Sequence, residues 1–237
     1  MSRADTAVVL AAGRGRRLEP GFGGHRFCKP LIRVAGRTLL ERVVHCCRSA
    51  GLARIIVITG FRDELIDEEI ARWNRGDVHT IHNDRWRAPN GVSLLAARPA
   101  AGGDFVLLMA DHLLDQSILD DVAAAPVPPS GATLAVDRKL AEVYDLNDAT
   151  KVSFDGRSIQ HIGKRLGSFN AVDCGVFRCT AGVFDALDAT PHSRAPSVSD
   201  GMRVLARTGR LWALDIGDRW WEDVDTPAVV ERVAKRA

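Results

Sequence analysis

Leu10-Ala11-Ala12-Gly13-Arg14-Gly15-Arg16-Arg17-Leu18 follows directly on the apolar run Ala7-Val8-Val9-Leu10. A short apolar run that ends at glycines reads as a buried strand handing over to a turn. Glycines at 13 and 15 let backbone N–H groups come close to phosphate oxygens, and the arginines around them add charge-assisted hydrogen bonds. The stretch therefore reads as an anion-binding loop at the end of a strand. Spacing excludes two common loops. A dinucleotide loop needs a third glycine where Leu18 stands, and the G-x-x-x-x-G-K-[ST] pattern of a P-loop is absent. What remains is G-x-G-x-R-L.

Outward from this loop, strand and helix patterns alternate. Thr38 to Ala50 carries apolar residues at 39, 40, 43, 44, 46 and 47, which predicts a helix opened by a Thr38/Glu41 capping box and stopped by Gly51. Arg54 to Thr59 (RIIVIT) predicts a second buried strand, Asp63 to Trp73 an amphipathic helix, Val78 to His82 a strand and Gly91 to Arg98 a short helix. Asp104 to Ala110 is the most apolar strand and runs straight into Asp111. The alternation predicts an α/β fold with a mostly parallel central sheet covered on both faces. Ligands of such sheets bind at the carboxyl ends of strands.

The pattern changes after a loop at Pro126 to Gly131. Ala132 to Arg138 reads as a strand, 151–154 and 157–162 as a hairpin about Asp155-Gly156, and Val172 to Arg178 as another strand. We expect a small antiparallel extension over about residues 132–178, inside a single domain of residues 1–237. A closing helix is expected over Thr226 to Lys235.

Composition narrows the function classes. Of 237 residues, 46% are apolar and 26% charged, enough for a buried core. The net charge of +2 argues against nucleic acid as a partner. No apolar run approaches the roughly 18 residues of a membrane span. The polar start, Met1 to Thr6, is not a signal peptide. The five cysteines are odd in number and form no C-x-x-C pair, which predicts reduced thiols in a cytoplasmic protein without zinc or disulfides. Only five of 32 basic residues are lysine, namely Lys29, Lys139, Lys151, Lys164 and Lys235. In a chain that otherwise chooses arginine, a lysine marks a place for a compact point charge.

Asp111 ends an apolar strand, where a carboxylate is costly without a partner. Asp223 and Asp225 lie far downstream in Trp221-Glu222-Asp223-Val224-Asp225-Thr226-Pro227. Two carboxylates from separate strands together with phosphate oxygens suit Mg²⁺, which makes Asp111, Asp223 and Asp225 the candidate ligands. Asp225 has a second reading as the N-cap of the closing helix.

LAAGRGRRL followed by Cys28-Lys29-Pro30-Leu31 resembles the sugar-phosphate nucleotidyltransferase superfamily. The resemblance implies a Rossmann-like nucleotidyltransferase fold. It places Leu10, Ala11, Ala12, Gly13, Arg14, Gly15 and Asp111 on the nucleotide, and gives Arg17 and Lys29 the charge of the transition state. It points to the Asp of W-x-D, Asp223, as the second metal ligand, and the double Asp keeps Asp225 as the alternative.

Asn90-Gly91-Val92-Ser93-Leu94, Met109-Ala110-Asp111-His112, Asn147-Asp148-Ala149-Thr150-Lys151-Val152, Ile162-Gly163-Lys164 and Val172-Asp173-Cys174-Gly175-Val176-Phe177 go further. They resemble CTP:inositol-1-phosphate cytidylyltransferases, the cytidylyltransferase half of the bifunctional enzymes that make di-myo-inositol phosphate. This resemblance implies Mg²⁺-dependent transfer of a cytidylyl group from CTP to inositol 1-phosphate. Asn90, Gly91 and Ser93 would read the pyrimidine. Lys139, Lys151, Lys164 and Asp173 would bind the acceptor, a small phosphorylated alcohol. His112 is expected to be a structural hydrogen-bonding group. The alternatives are phosphocholine or a hexose 1-phosphate as acceptor, UTP or dTTP as donor, and a non-catalytic nucleotide-binding subunit. The resemblance also implies that the product passes to a separate membrane transferase. A homodimer is among the expected states.

Overall fold

The computed structural model describes residues 3–22, 24, 27–191 and 195–236. The first half contains β1 (Thr6–Leu10), α1 (Glu19–Phe22), β2 (Arg33–Val34), β3 (Arg37–Thr38), α2 (Leu39–Ser49), β4 (Arg54–Thr59), α3 (Asp63–Arg72) and β5 (Val78–His82). Then come α4 (Asn90–Ala96), α5 (Arg98–Ala101), β6 (Phe105–Met109), β7 (His112–Leu114) and α6 (Gln116–Ala124). The second half contains β8 (Ala132–Asp137), β9 (Lys151–Asp155), β10 (Ser158–Gly163), β11 (Ala171–Cys179), α7 (Gly182–Asp188), α8 (Val198–Arg207), β12 (Leu211–Asp215), β13 (Trp221–Asp223) and α9 (Pro227–Ala234).

Nine strands form one twisted sheet in the order β5-β4-β1-β6-β11-β8-β12-β10-β9. The pairs β4–β5, β1–β4 and β1–β6 are parallel, as is β8–β12. The antiparallel part is not a separate flap. β11 runs antiparallel to both β6 and β8, so it joins the two halves through the middle of the sheet.

Side-chain alternation explains the layering. Ala7, Val9, Ile55, Val57, Val106 and Leu108 face α2, α3 and α6 in one core, while Val8, Leu10, Ile56, Ile58, Phe105 and Leu107 face α4, α5, α7 and α8 in the other. Strands buried on both sides have no polar face, which is why these segments read as unbroken apolar runs.

Helix boundaries follow local chemistry. Thr38 caps α2, its Oγ1 accepting from the Glu41 N–H at 3.1 Å. The other half of the expected capping box is replaced, because the Glu41 carboxylate lies 3.9 Å from the Arg37 guanidinium. A full box is present at α8, where Ser197 and Asp200 exchange side-chain and backbone contacts. The helix expected over 91–98 is two pieces, since Pro99 cannot continue the ladder of α4.

Candidate active site

The site lies where β1 is flanked by β4 on one side and β6 on the other, at their carboxyl ends. A hydrogen bond from the Ala110 N–H to the Leu10 carbonyl, 3.1 Å, keeps the two strand ends level. The loop after β1 and the acidic residue after β6 are thereby neighbours. The loop then dives: Leu18, fully buried, packs into a third core with Phe27, Ile32, Val224 and Val229. That anchoring explains an apolar residue where a dinucleotide loop has its third glycine.

Gly15 sits at φ +71°, and a Cβ there would stand 2.6 Å from Cβ of Lys29. The missing side chain lets the one-turn 3-10 helix Lys29–Leu31 press against the loop, which buries Lys29 to 6% exposure. Its ammonium is paired with Asp111 and with Asp225. Asp225 also accepts from Arg17, whose other terminal nitrogen reaches Asp148 at 2.8 Å. Asp148 in turn accepts from Lys164 at 2.6 Å. Asp111, Lys29, Asp225, Arg17, Asp148 and Lys164 thus form a chain of alternating charge across the site.

Chain folding brings the remote carboxylates together through a two-stranded ribbon. β13 pairs antiparallel with β7, opposing Asp223 to His112, and the Val224 N–H donates to the Asp111 carbonyl at 3.0 Å. Thr226, not Asp225, caps α9, its Oγ1 accepting from the Val229 N–H at 3.4 Å. That corrects the N-cap reading of Asp225 and leaves its carboxylate free to hold the two cations.

His112 opens β7 and so belongs to the ribbon itself. Its Nδ1 is 2.9 Å from Asp111 Oδ1 and 3.9 Å from Asp223 Oδ1, and its ring stacks on Trp221 at 5.8 Å. Trp221 donates from Nε1 to Asp137 at 2.9 Å, which fixes the stack. Gly175, at φ +75°, makes room for the imidazole, since a Cβ there would fall 2.5 Å from Cδ2 of His112.

The electrostatics follow from burial and neighbours. Burial disfavours the Lys29 cation, but Asp111 and Asp225 outweigh it and raise the ammonium above its ordinary range. Burial pushes Asp111 upward, yet Lys29 and His112 more than offset it and hold the carboxyl well below the usual range. His112 is lowered by burial and raised more by Asp223 and Asp111, to about 9. Asp223 is pushed up to about 7, by burial first and then by Asp111 and Asp225. Its Oδ1 is buried without a hydrogen-bond partner.

Two clefts flank this cluster. One, of about 270 Å³, is walled by Leu10, Ala11, Gly13, Gly15, Arg16, Arg17, Lys29, Pro30, Ala110, Asp111 and Asp225. The other, of about 780 Å³, lies on the side of the 138–150 segment and is lined among others by Asn90, Asp137, Lys139, Tyr144, Asp148, Lys164, Asp173, Trp220 and Asp223. Arg17 and Asp225 line both.

The model of the MobA-like NTP transferase domain matches residues 7–145. The chain belongs to that family. This MobA-like chain is 35% identical over 228 residues to the bifunctional IPC transferase and DIPP synthase of Rubrobacter xylanophilus, covering 93% of the chain and 49% of the relative. To the Aquifex aeolicus protein of the same name it is 29% identical over 232 residues, 98% of the chain and 51% of the relative. The chain spans about half the length of these curated relatives. Its fold is that of the inositol-1-phosphate CTP transferase from T. maritima, with TM-score 0.85, 24% identity, and 99% and 96% of the two chains covered. The Rossmann-like nucleotidyltransferase fold expected from the sequence is therefore present. No helix among the described residues is long and apolar enough to cross a membrane.

The expected site residues divide into those at the clefts and those with other occupations. Arg17, Lys29, Asp111, Asp223 and Asp225 converge as described. Arg14 pairs with Glu19 at 2.7 Å and lies over Phe61. Ala12 is buried behind the loop. Asn90 lines the larger cleft while its Oδ1 accepts from the Val198 N–H at the start of α8, 3.0 Å. Ser93 is buried and accepts from Asn83 at 2.9 Å, and Gly91 is pressed against the backbone of Pro196 and Ser197. Lys139 is saturated by Asp137 at 2.8 Å, the Gly217 carbonyl at 2.6 Å and the Arg219 carbonyl at 3.2 Å. Lys151 is buried on the Asn147 carbonyl at 2.7 Å. Asp173 accepts from the Gly175 N–H at 2.7 Å, and burial raises its carboxyl to about 6. Sequence reasoning quoted Asp148 and Asp137 in motifs without giving them a role, and Tyr144 carried no local signal.

Proposed function

We propose that this chain transfers a cytidylyl group from CTP to inositol 1-phosphate or a closely related phosphorylated polyol, releasing pyrophosphate. The observation that carries the reading is the meeting of the two clefts at Arg17 and Asp225, directly over the buried Lys29–Asp111 pair. The smaller cleft, with its glycine loop and cations, suits a triphosphate. The larger one, rich in carboxylates, ammonium groups and aromatic faces, suits a polyol that carries a phosphate. The names of the curated relatives and of the structural neighbour support CTP and an inositol phosphate as the pair.

The acceptor phosphate is ionised at neutral pH and attacks without a general base. Its oxygen forms a bond to the α-phosphorus of CTP as the bond from that phosphorus to the bridging oxygen breaks, and the electron pair leaves with pyrophosphate. Lys29 and Arg17 neutralise the charge growing on the equatorial and bridging oxygens, so catalysis is positioning and electrostatics. Backbone N–H groups of the Gly13 to Gly15 turn hold the departing phosphates.

The donor set fits a divalent cation. Donor atoms of Asp111, His112 and Asp223 lie within 4.8 Å of one another, and one buried Asp223 oxygen lacks a partner. Asp111 and Asp223 would hold Mg²⁺, with Asp225 left to orient Lys29 and Arg17. The ion would supply charge neutralisation at the α-phosphate.

The test is pyrophosphate release with CTP, UTP, dTTP, ATP and GTP, each against inositol 1-phosphate, phosphocholine and glucose 1-phosphate. CTP with inositol 1-phosphate should exceed every other pair by at least about tenfold in kcat/KM, a gap one lost polar contact supplies. A dominant sugar phosphate or uridine signal would replace this reading with a sugar-phosphate nucleotidyltransferase.

A further inference from the structure

We propose that the Asp148 carboxylate is an internal occupant of an anion site built from Arg17 and Lys164, a strap that a phosphomonoester must displace to bind. The proposal rests on the reading that the larger cleft takes a phosphorylated acceptor.

Arg17 belongs to the loop after β1, and Lys164 follows β10 on the far wall. β1 and β10 are distant strands of the same sheet. Asp148 links the two side chains, giving Oδ2 to Arg17 at 2.8 Å and Oδ1 to Lys164 at 2.6 Å. One carboxylate thus offers two oxygens to two cations that both line the larger cleft, which is the bite a phosphate group presents. Arg17 also lines the smaller cleft, so this anion position adjoins the place where the donor's phosphates would sit.

The rest of the segment has anchors of its own, including Lys139 on the Gly217 and Arg219 carbonyls and Tyr144 under Arg232 of α9. Lys139 anchors its start to Asp137, the Ala149 N–H donates to the Asp145 carbonyl at 3.0 Å, and Lys151 closes onto the Asn147 carbonyl. Asp148 makes the ion pairs that reach Arg17 and Lys164. Those pairs are half exposed, with side chains 48%, 38% and 58% accessible for Arg17, Asp148 and Lys164. Exposed ion pairs are weak, so a phosphate dianion, with greater charge and more acceptor oxygens, outcompetes the carboxylate. Stray monoanions do not, and the strap makes the site selective for phosphomonoesters.

The test needs no turnover. Isothermal titration with inorganic phosphate alone should show Asp148→Asn binding about tenfold more tightly than wild type, the scale set by freeing two exposed ion pairs. Asp155→Asn, the same charge change at the tip of the β9–β10 hairpin, should bind phosphate as wild type does. Adding Lys164→Gln to Asp148→Asn should abolish the gain. In steady-state assays, Asp148→Asn should lower KM for the acceptor and lower the inhibition constant of inorganic phosphate in parallel. Unchanged or weaker phosphate binding by Asp148→Asn, or by a folded Asp148→Ser, overturns the strap. So does a gain that survives in the double variant. If no acceptor supports pyrophosphate release yet phosphate binding follows the expected order, the strap stands and the acceptor reading falls.

Discussion

The imidazole of His112 turns back toward the residue before it in the chain, setting Nδ1 2.9 Å from Oδ1 of Asp111. That contact, with Lys29 on the other carboxylate oxygen, fixes the orientation of the acidic group that ends β6. Asp111→Asn keeps the shape and removes the charge. Pyrophosphate release at saturating Mg²⁺ should fall by at least about 100-fold, the scale of losing one electrostatic partner of the transition state. The far-ultraviolet circular dichroism should stay unchanged.

Asp223 and Asp225 should separate by probe. Asp223→Asn should weaken Mn²⁺ binding, read by electron paramagnetic resonance, by about tenfold or more, because it removes a carboxylate that faces the cation position. Asp225→Asn should leave Mn²⁺ binding nearly intact and raise KM for CTP, because Arg17 and Lys29 lose their common anchor. Equal loss of Mn²⁺ in both variants would assign Asp225 to the metal as well.

Gly175→Ala tests the room made for His112. The added Cβ meets the imidazole and sits at a positive φ, two separate penalties. Stability should fall by about 1–3 kcal/mol in urea unfolding, with a drop in kcat larger than any change in KM for CTP. A fully active, fully stable variant would detach His112 from the site.

Acid stability should report the Arg48–Asp77 pair, which ties the last turn of α2 to the start of β5 through two hydrogen bonds of 2.6 and 2.9 Å. The hydrogen bond from Arg48 holds the Asp77 carboxyl below its ordinary value. A depressed carboxyl stabilises the fold above its unfolded pKa of about 3.9, and that contribution disappears as pH falls through the folded value. The urea midpoint of wild type should therefore drop more steeply between pH 5 and pH 3, or roughly so, than that of Asp77→Asn. Parallel curves would show that the pair contributes nothing.

The sequence was most legible where burial is complete. Ile55 to Ile58 and Phe105 to Leu108 pack helices on both faces, so their hydrophobicity is continuous and their strand character plain. β7 and β13 have three residues each, too few to carry a period, and so the ribbon that joins Asp111 to Asp223 and Asp225 left no trace. α8 was hidden by its own cap, since Asp200 stands where the usual box has Glu or Gln. At the candidate site, the sequence singled out Gly15, Arg17, Lys29 and the late aspartates, and the fold brings them together, although Asp225 also carried a competing reading as a helix cap. Ser93 and Lys151 are ambiguous in the sequence because a buried hydrogen bond and a functional contact demand the same residue type. Asp148 was silent because its meaning depends on Arg17, distant in sequence and adjacent only in three dimensions.

The nine-stranded sheet is finished at Asp215, while the pairing of β13 with β7 comes after it. Architecture and chemistry are therefore assembled in succession. During synthesis from the N-terminus, a nascent polypeptide paused before Trp221 already holds the nine described strands of the large sheet and still lacks Asp223 and Asp225, the late carboxylates of the candidate site. The ribbon acts as a late fastening, and it closes around Asp111 only once residues 221–225 have been made.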